Sequence, residues 1–245
     1  MRRLIRAAAL LLVLALPLAA VAQGFTPAQR AEIVEILRQA LREDPNILRE
    51  ALGGLEAAEQ AARATARREA IQAQEAALFR NAADPVKGNP QGDVTLVEFF
   101  DARCGYCKQL HPTMEALIRR DPNLRVVMKD LPILGPNSVL ASRALLAAQR
   151  QGGYGRLYDA LMGLRTEPTE PVLRQQAERA GLDWARLRRE MDHPEVTARI
   201  EANLGLAQTL GIEGTPALVI GRTLVPGAVD LPTLERLVAE ARAAR

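Results

Sequence analysis

Two cysteines separated by two residues lie where an apolar run changes into a helical pattern. The run is Val94–Phe100, a near-continuous series of apolar residues that suits a buried strand. Cys104-Gly105-Tyr106-Cys107 follows within a few residues, and a helical pattern continues towards Arg120. Asp121-Pro122-Asn123 ends that helix, and residues 124–128 indicate a second strand. The segment therefore predicts a β–α–β unit with both cysteines at the start of its helix.

These two cysteines are the only ones in the chain, and they suit redox chemistry better than a structural role. A structural disulfide acts mainly by closing a loop in the unfolded chain, and a two-residue loop restricts almost nothing. The thiolate is the attacking species, and the N-terminus of a helix stabilises it. We therefore expect Cys104 to be exposed and to attack a disulfide. Cys107, one turn further on, should be more buried and should resolve the mixed disulfide.

A single C-x-x-C motif also fits half of a zinc site. A structural zinc site needs four ligands, and the only histidines are His111 and His193. Cys104, Cys107 and His111 on one helix face leave a copper-binding or copper-tolerance function open. Haem attachment is excluded because Lys108, not histidine, follows Cys107. The redox interpretation requires no metal, and without a Gly-rich phosphate loop we expect no cofactor.

The N-terminus has the pattern of an export signal. Three arginines lie in the first six residues, residues 7–20 are apolar, and Ala20-Val21-Ala22 is a small-x-small sequence. The apolar run is shorter than the roughly 20 residues of a membrane-spanning helix. We predict a signal peptide over 1–22, cleaved after Ala22, with an uncleaved anchor as the alternative. The signal's arginines account for the net charge of +3, and no basic stripe indicates nucleic acid as a partner.

Residues 23–82 are rich in Ala, Glu, Arg and Gln. Thr26-Pro27 predicts a helix start, and apolar residues recur at helical spacing on both sides of Pro45. Neither short helix can bury its apolar stripe alone. Residues 56–80 are helical in composition but have few large apolar residues before Ile71, Leu78 and Phe79. We predict a helical oligomerisation stalk and polar spacer over 23–82; the alternative is that both helices fold back onto the following domain.

Turn-forming residues from Asp84 to Gly92 mark the start of a second domain over 83–245. Its middle part, about 137–210, is almost wholly helical in pattern. Ala217–Ile220 then predicts a strand, Gly221-Arg222 a hairpin turn, and a last helix begins after Asp230. The predicted order is β–α–β, a helical insertion and β–β–α, which defines an α/β domain.

Two segments of this domain resemble a known family. Residues 99–108, around the cysteines, resemble the active-site run of the DsbA-type periplasmic disulfide oxidoreductases. Residues 210–221, with Thr215-Pro216, are similar to the second hallmark of that family. The resemblance covers about 84–245 and implies a periplasmic protein with a thioredoxin fold. It implies exported protein substrates with thiols or disulfides, and a membrane redox partner. It also implies that Pro216 is cis and faces the cysteines, and that the Thr215 backbone hydrogen-bonds a bound peptide.

Two further features resemble subgroups of this family. Gly-Tyr between the cysteines and Thr215 before the proline are similar to the disulfide isomerases, while a monomeric dithiol oxidase is the alternative within the same chemistry. Pro45-Asn46-Ile47-Leu48 after a first short helix resembles the stalk of the group that includes suppressor-of-copper-sensitivity protein C. Members of that group include trimers, so the resemblance implies a homo-oligomer, with a trimer favoured.

Glu98 interrupts the apolar run six residues before Cys104, where an ionised carboxylate would be costly to bury. The resemblance implies an acid here that exchanges a proton with Cys107, and Lys129 resembles its partner. The alternative is that Glu98 lies at an edge or points to solvent. The candidate catalytic residues are thus Cys104, Cys107, Glu98, Thr215 and Pro216.

Overall fold

A computed structural model describes residues 24–244 of the chain. The predicted signal peptide, residues 1–22, lies outside this range. The described chain divides into two compact units between Ala58 and Glu59. None of the helices in this range combines the length and the apolar character needed to cross a membrane.

The first unit consists of α1 (Pro27–Glu43) and the beginning of α2 (Asn46–Ala73). α1 begins where the sequence predicts: the Thr26 hydroxyl caps the helix, and the Gln29 side chain bonds back to the Thr26 backbone N–H. α1 has no buried residue. Ten large apolar side chains of this unit are exposed: Phe25, Ile33, Val34, Ile36, Leu37, Leu41, Ile47, Leu48, Leu52 and Leu55.

The predicted polar spacer is the remainder of α2 followed by α3 (Glu75–Phe79). Its final turns differ from the prediction, because they pack in the core of the second unit instead of bridging through solvent. Ile71 and Leu78 are buried in one cluster with Val97 and Phe99. The few apolar residues of this segment are therefore enough to hold its end on a sheet, and the division between the units falls before the predicted boundary at 82/83.

The second unit contains a five-stranded sheet of order β1-β3-β2-β4-β5. β2 and β3 are parallel neighbours, and the other pairs are antiparallel. β2 and β4 have their predicted bounds, β3 continues two residues beyond its prediction, and β1 was not predicted. The strands are β1 (Val86–Gly88), β2 (Val94–Phe100), β3 (Leu124–Asp130), β4 (Ala217–Ile220) and β5 (Thr223–Pro226).

Helices cover both faces of this sheet. α4 (Gly105–Arg120) connects β2 to β3 and completes the predicted β–α–β unit. The predicted helical insertion comprises five helices: α5 (Pro136–Gln149), α6 (Tyr154–Met162), α7 (Glu170–Arg179), α8 (Trp184–Glu190) and α9 (Pro194–Thr209). α10 (Leu231–Ala243) is the last helix, and Pro232 lies in its first turn as predicted. This arrangement is the thioredoxin fold with a helical insertion that the resemblance implies.

The two faces of β2 belong to different clusters, because successive side chains of a strand point to opposite sides. Leu96 and Phe100 lie in the larger cluster, which also contains residues of α4, α5 and α6. Val97 and Phe99 lie in the smaller cluster, with residues of α2, α3 and α9. Glu98 shares the face of Leu96 and Phe100, on the side of α4.

Candidate active site

Cys104 and Cys107 occupy the start of α4, as predicted. Cys104 is the N-cap residue, and its backbone N–H donates to the Asp101 carbonyl at 3.0 Å. Both thiols are free, and Cys107 is completely buried. Cys104 is more exposed than Cys107, but its exposed fraction is 7%, so our expectation of an open thiol was wrong in degree. The reason is a neighbouring loop: the Cys104 Sγ donates to the Thr215 carbonyl at 3.1 Å.

The loop that covers Cys104 contains the predicted cis proline. The Thr215–Pro216 peptide bond is cis, as the resemblance implies. The Pro216 carbonyl accepts a hydrogen bond from the Gly227 N–H at 2.8 Å, and β4 begins at the next residue and pairs with β2. This pairing brings Thr215 to Cys104 although the two residues are 111 positions apart. Four of the five candidate residues therefore lie around the start of α4: Cys104, Cys107, Thr215 and Pro216.

Asp101 fixes the turn between β2 and Cys104, and the sequence analysis did not identify it. One carboxylate oxygen accepts from the Arg103 N–H and the Ser138 hydroxyl, each at 2.8 Å. The other accepts from the N–H groups of Ile133 and Leu134 at 2.9 and 3.0 Å. Asp101 thereby joins the cysteine turn to the loop after β3. The signal was available: an acidic residue directly after a buried strand and three residues before the first cysteine.

Two basic side chains connect the start of α4 to the loop between α6 and α7. The Arg103 guanidinium donates to Glu167 at 2.7 Å and also contacts the Leu134 carbonyl. The Lys108 ammonium donates to the Leu164 carbonyl at 2.8 Å, and its burial lowers the pKa of that amine. Both contacts fix the start of α4 against that loop.

The environment of Cys107 disfavours its ionised form. Burial raises the pKa of the Cys107 thiol, and negative charge on Cys104 and Glu98 raises it further. Hydrogen bonds from the Asp101 backbone and the Thr215 side chain act in the opposite direction, with a smaller combined effect. Cys107 is therefore a thiol at neutral pH, and it needs a proton acceptor before it can attack.

Glu98 is buried, with an exposed fraction of 1%, so it does not point to solvent. The Tyr158 hydroxyl lies 3.4 Å from both of its carboxylate oxygens. Burial raises the pKa of Glu98 to about 7, although Lys87 and the Tyr158 hydrogen bond favour the carboxylate and partly offset that effect. A carboxyl group that titrates near neutrality next to a buried thiol can exchange a proton with it.

The expectation that Lys129 pairs with Glu98 was wrong. In the register of the parallel strands Glu98 lies opposite Met128, and Lys129 lies opposite Phe99. Because side chains alternate along a strand, Lys129 points to the other face of the sheet. There its ammonium donates to the Ala77 carbonyl at 2.8 Å and forms a buried ion pair with Asp84.

One set of three potential metal-ligating side chains occurs among residues 24–244, and neither cysteine belongs to it. It comprises His111, Glu115 and Asp159, whose ligand atoms lie within 4.8 Å of one another. The Lys87 ammonium lies 2.6 Å from Glu115 and also contacts Asp159. The Lys87 ammonium already occupies both carboxylates, so we assign no metal to this set.

Solved structures resemble the chain over most of its length. A thioredoxin-like oxidoreductase from Silicibacter pomeroyi is 45% identical, with a TM-score of 0.68, and the match covers 69% of this chain and 98% of that one. ScsC from Proteus mirabilis, in a transitional conformation, is 31% identical with a TM-score of 0.67. That match covers 90% of this chain and all of ScsC, so it includes residues before the sheet.

Curated relatives match over a little less than two thirds of the chain. The thiol:disulfide interchange protein DsbA of Bordetella parapertussis is 26% identical over 157 residues, which cover 62% of this chain and 75% of DsbA. An Na⁺/H⁺ antiporter of Salinispora tropica is 29% identical over 160 residues, and the chain spans about a quarter (24%) of its length. The model of the DsbA-like thioredoxin domain matches residues 95–239, which include both cysteines, Glu98 and the cis proline. The chain therefore belongs to the family of DsbA-like thioredoxin domain proteins.

Proposed function

We propose that this protein is an exported thiol–disulfide oxidoreductase that acts on the disulfides of other exported proteins. The observation that carries the proposal is the position of Cys104, which caps α4 and lies 3.1 Å from the carbonyl that precedes the cis proline. A thiolate at a helix N-terminus is stabilised, and the backbone next to it can hold an extended peptide. Membership of the DsbA-like family supports the same chemistry.

In this mechanism the Cys104 thiolate attacks a substrate disulfide, and one substrate thiolate leaves. Cys107 then attacks the Cys104 Sγ, which releases the second substrate thiolate and forms the Cys104–Cys107 disulfide. The substrate disulfide is thereby reduced by two electrons, and the enzyme dithiol is oxidised. In isomerisation another substrate thiolate attacks first, forms a new substrate disulfide and regenerates Cys104 with no net redox change.

Apolar side chains near the cysteines suit a polypeptide substrate. Tyr106, between the two cysteines, is 66% exposed, and Ile133 and Leu134 are exposed on the loop that Asp101 holds. Aromatic and aliphatic side chains beside a backbone hydrogen-bonding segment can accept the side chains that flank a substrate cysteine. The proposed role of Thr215 and Pro216 is to align that peptide with the Cys104 sulfur.

The first unit is proposed as an oligomerisation stalk. Its ten exposed large apolar side chains need a partner surface, and the similarity to ScsC extends over 90% of the chain. We propose that residues 1–22 are a signal peptide, residues 23–82 a stalk with a spacer, and residues 83–245 the catalytic domain. We also propose that the protein is a periplasmic homo-oligomer, with a trimer favoured. Several sites on one assembly would raise the effective concentration of a second thiol and so favour isomerisation. A membrane redox partner would restore the active oxidation state.

The test compares two ribonuclease substrates. An isomerase reactivates ribonuclease with scrambled disulfides, whereas a dithiol oxidase activates only the reduced form, so the pair distinguishes our proposal from a monomeric oxidase. Cys104→Ser should lose both activities, because serine keeps the size of the side chain but is not a thiolate. If the wild-type protein acts on neither substrate, or if Cys104→Ser retains activity, the proposal is wrong.

A further inference from the structure

Glu98 has no charged neighbour on its own strand pairs, since it lies opposite Met128 on β3 and Leu218 on β4. Its polar contact comes from α6, where the Tyr158 hydroxyl approaches both carboxylate oxygens. Tyr158 is itself buried, and its ring packs edge-on against Phe100 at 4.9 Å between centroids. The mechanism above gives Tyr158 no role, yet it is the side chain that the carboxyl group of Glu98 contacts.

A cation lies over the ring of Tyr158. The Lys87 ammonium is 4.8 Å from the centroid of the Tyr158 ring, and the Lys87 side chain is 12% exposed. It forms ion pairs with Glu115 of α4 and Asp159 of α6. The His111 ring also contacts Tyr158 edge-on, at 5.4 Å. A buried acid, an aromatic hydroxyl and a partly exposed cation thus follow one another from Glu98 through Tyr158 to Lys87.

We propose that Lys87 and Tyr158 are positioning residues that set the protonation of Glu98 and, through it, the proton exchange of Cys107. This inference rests on the proposed function and assigns to Lys87 the place that the family resemblance gives to Lys129. Lys87 acts from β1, a strand that the sequence analysis did not identify, and it reaches the face of the sheet on which Glu98 lies.

In the resolution of the mixed disulfide, the proton that Cys107 loses is taken up by another group of the protein. When Cys107 attacks the Cys104 Sγ in the mixed disulfide, its thiol proton passes to the Glu98 carboxylate. The sulfur–sulfur bond to the substrate breaks, and the substrate leaves as a thiolate. In the reverse direction Glu98 returns the proton to Cys107 as it leaves. The forward step therefore needs ionised Glu98, and its rate should rise with pH through the titration of this group.

The groups around Glu98 have opposite effects on that titration. Lys87 and the Tyr158 hydroxyl favour the carboxylate, whereas Glu115 disfavours it. A change of charge at Lys87 and one at Glu115 should therefore shift the pH dependence in opposite directions. The titratable groups that interact electrostatically with Glu98 are Cys107 and Glu115 of α4, Tyr154 and Tyr158 of α6, and Lys87 of β1. His111 contacts Tyr158, and Asp159 pairs with Lys87.

The test measures the rate at which the full-length protein resolves a mixed disulfide with a model peptide, between pH 5 and pH 9. Lys87→Met should raise the midpoint of this profile by about one pH unit, equivalent to a roughly tenfold slower step at pH 6. Lys87→Arg should restore the wild-type midpoint, and Glu115→Gln should lower it. Tyr158→Phe removes one hydrogen bond and should raise the midpoint by a smaller amount.

Lys129→Met is the matched control, because it removes a buried lysine from the opposite face of the same sheet. It should leave the midpoint unchanged even where it lowers stability. If Glu98→Gln abolishes the pH dependence while Lys87→Met leaves the midpoint in place, the role of Lys87 is wrong and the proposed function stands. If the wild-type protein forms no mixed disulfide, the proposed function fails, and this inference fails with it.

Discussion

Three of the buried carboxylates in the second unit differ in how their charge is accommodated. Asp101 accepts four hydrogen bonds within 3.0 Å, three from backbone N–H groups and one from Ser138. Glu98 and Asp130 are equally buried but have fewer donors, and burial raises the pKa of each to about 7. Tyr154 donates to Asp130 at 2.9 Å, as Tyr158 does to Glu98 at a longer distance. Asp101 thus serves to hold a turn, whereas the other two titrate near neutrality.

Asp130→Asn should stabilise the protein at high pH but not at low pH. The unfolded chain ionises Asp130 near pH 4, whereas the raised pKa keeps the folded protein protonated up to about pH 7. The stability associated with this raised pKa is fully present below pH 4 and is lost as the pH rises to 7, because the folded state binds more protons. The unfolding free energy of Asp130→Asn minus that of the wild type should therefore increase by about 3 kcal/mol from pH 5 to pH 8.

Urea unfolding at the two pH values measures this difference. Asparagine retains an oxygen that can accept from Tyr154, so the change removes the titration and leaves the packing in place. Glu201→Gln, at an exposed position of α9, is the control and should change stability equally at both pH values. An effect of Asp130→Asn that is independent of pH would contradict the account.

At the scale of elements, a buried ion pair attaches the end of the predicted spacer to the sheet. Lys129 of β3 binds Asp84 and donates to the Ala77 carbonyl of α3 at 2.8 Å. Arg199 of α9 binds the other oxygen of Asp84 at 2.6 Å. Arg125 of β3 donates to the Phe79 carbonyl at 2.7 Å. These contacts, with Ile71 and Leu78 in the core, explain why the second unit begins inside α2.

Lys129→Met should destabilise the second unit by about 3 kcal/mol, since removal of one partner leaves a buried carboxylate with half of its ion pairing. The unfolding free energy measures this change. Arg236→Met is the control, because its ion pair with Glu240 on α10 is exposed and should contribute less than about 1 kcal/mol. Equal losses in the two variants would show that the Asp84 pair does not hold these elements together.

The sequence predicts those helices and strands that are specified by a pattern within a short stretch of consecutive residues. The bounds of β2 and the start of α4 follow from a continuous apolar run and a turn at Cys104, and both are confirmed. β1 escapes prediction because its three residues, Val86–Gly88, lie among turn formers and carry no alternating pattern. The error at Lys129 has its cause in the register of the parallel strands, which places Lys129 on the face opposite Glu98 and is not visible in the sequence.

The remainder of the site depends on contacts between distant residues. Tyr158 lies 60 positions from Glu98, and as one aromatic residue in a helical segment it carries no functional signal. Lys87 is near Glu98 in sequence, but only the pairing of β1 with β3 places it on the same face of the sheet. Such residues become visible only when the fold is known, whereas the cysteines and the Thr215-Pro216 pair have a pattern of their own.

At the scale of the whole molecule, we expect the exposed apolar face of the first unit to determine the oligomeric state. Leu48→Glu combined with Leu52→Glu should convert the oligomer to a monomer, because charges in an apolar helix interface are costly to desolvate. Light scattering gives the mass. The monomer should still oxidise a single peptide dithiol, but it should lose most of its activity on scrambled ribonuclease, which depends on neighbouring sites.

Gln60→Glu combined with Thr65→Glu is the control, since it adds the same number of negative charges at exposed polar positions of α2. This variant should retain the wild-type mass and both activities. If the wild-type protein is a monomer, the first unit is not an oligomerisation stalk. If the monomeric variant still unscrambles ribonuclease, isomerisation does not need the assembly.

Trapping of the mixed disulfide tests the central claim most directly. Cys107→Ala removes the resolving thiol, so reaction with a peptide disulfide should accumulate one peptide per chain, attached to Cys104 by a disulfide that mass spectrometry locates. Cys104→Ala should form no such adduct, because Cys107 is buried and its burial raises the pKa of its thiol. A stable adduct on Cys107, or none on Cys104 of the Cys107→Ala variant, would contradict the assignment of attack to Cys104 and resolution to Cys107.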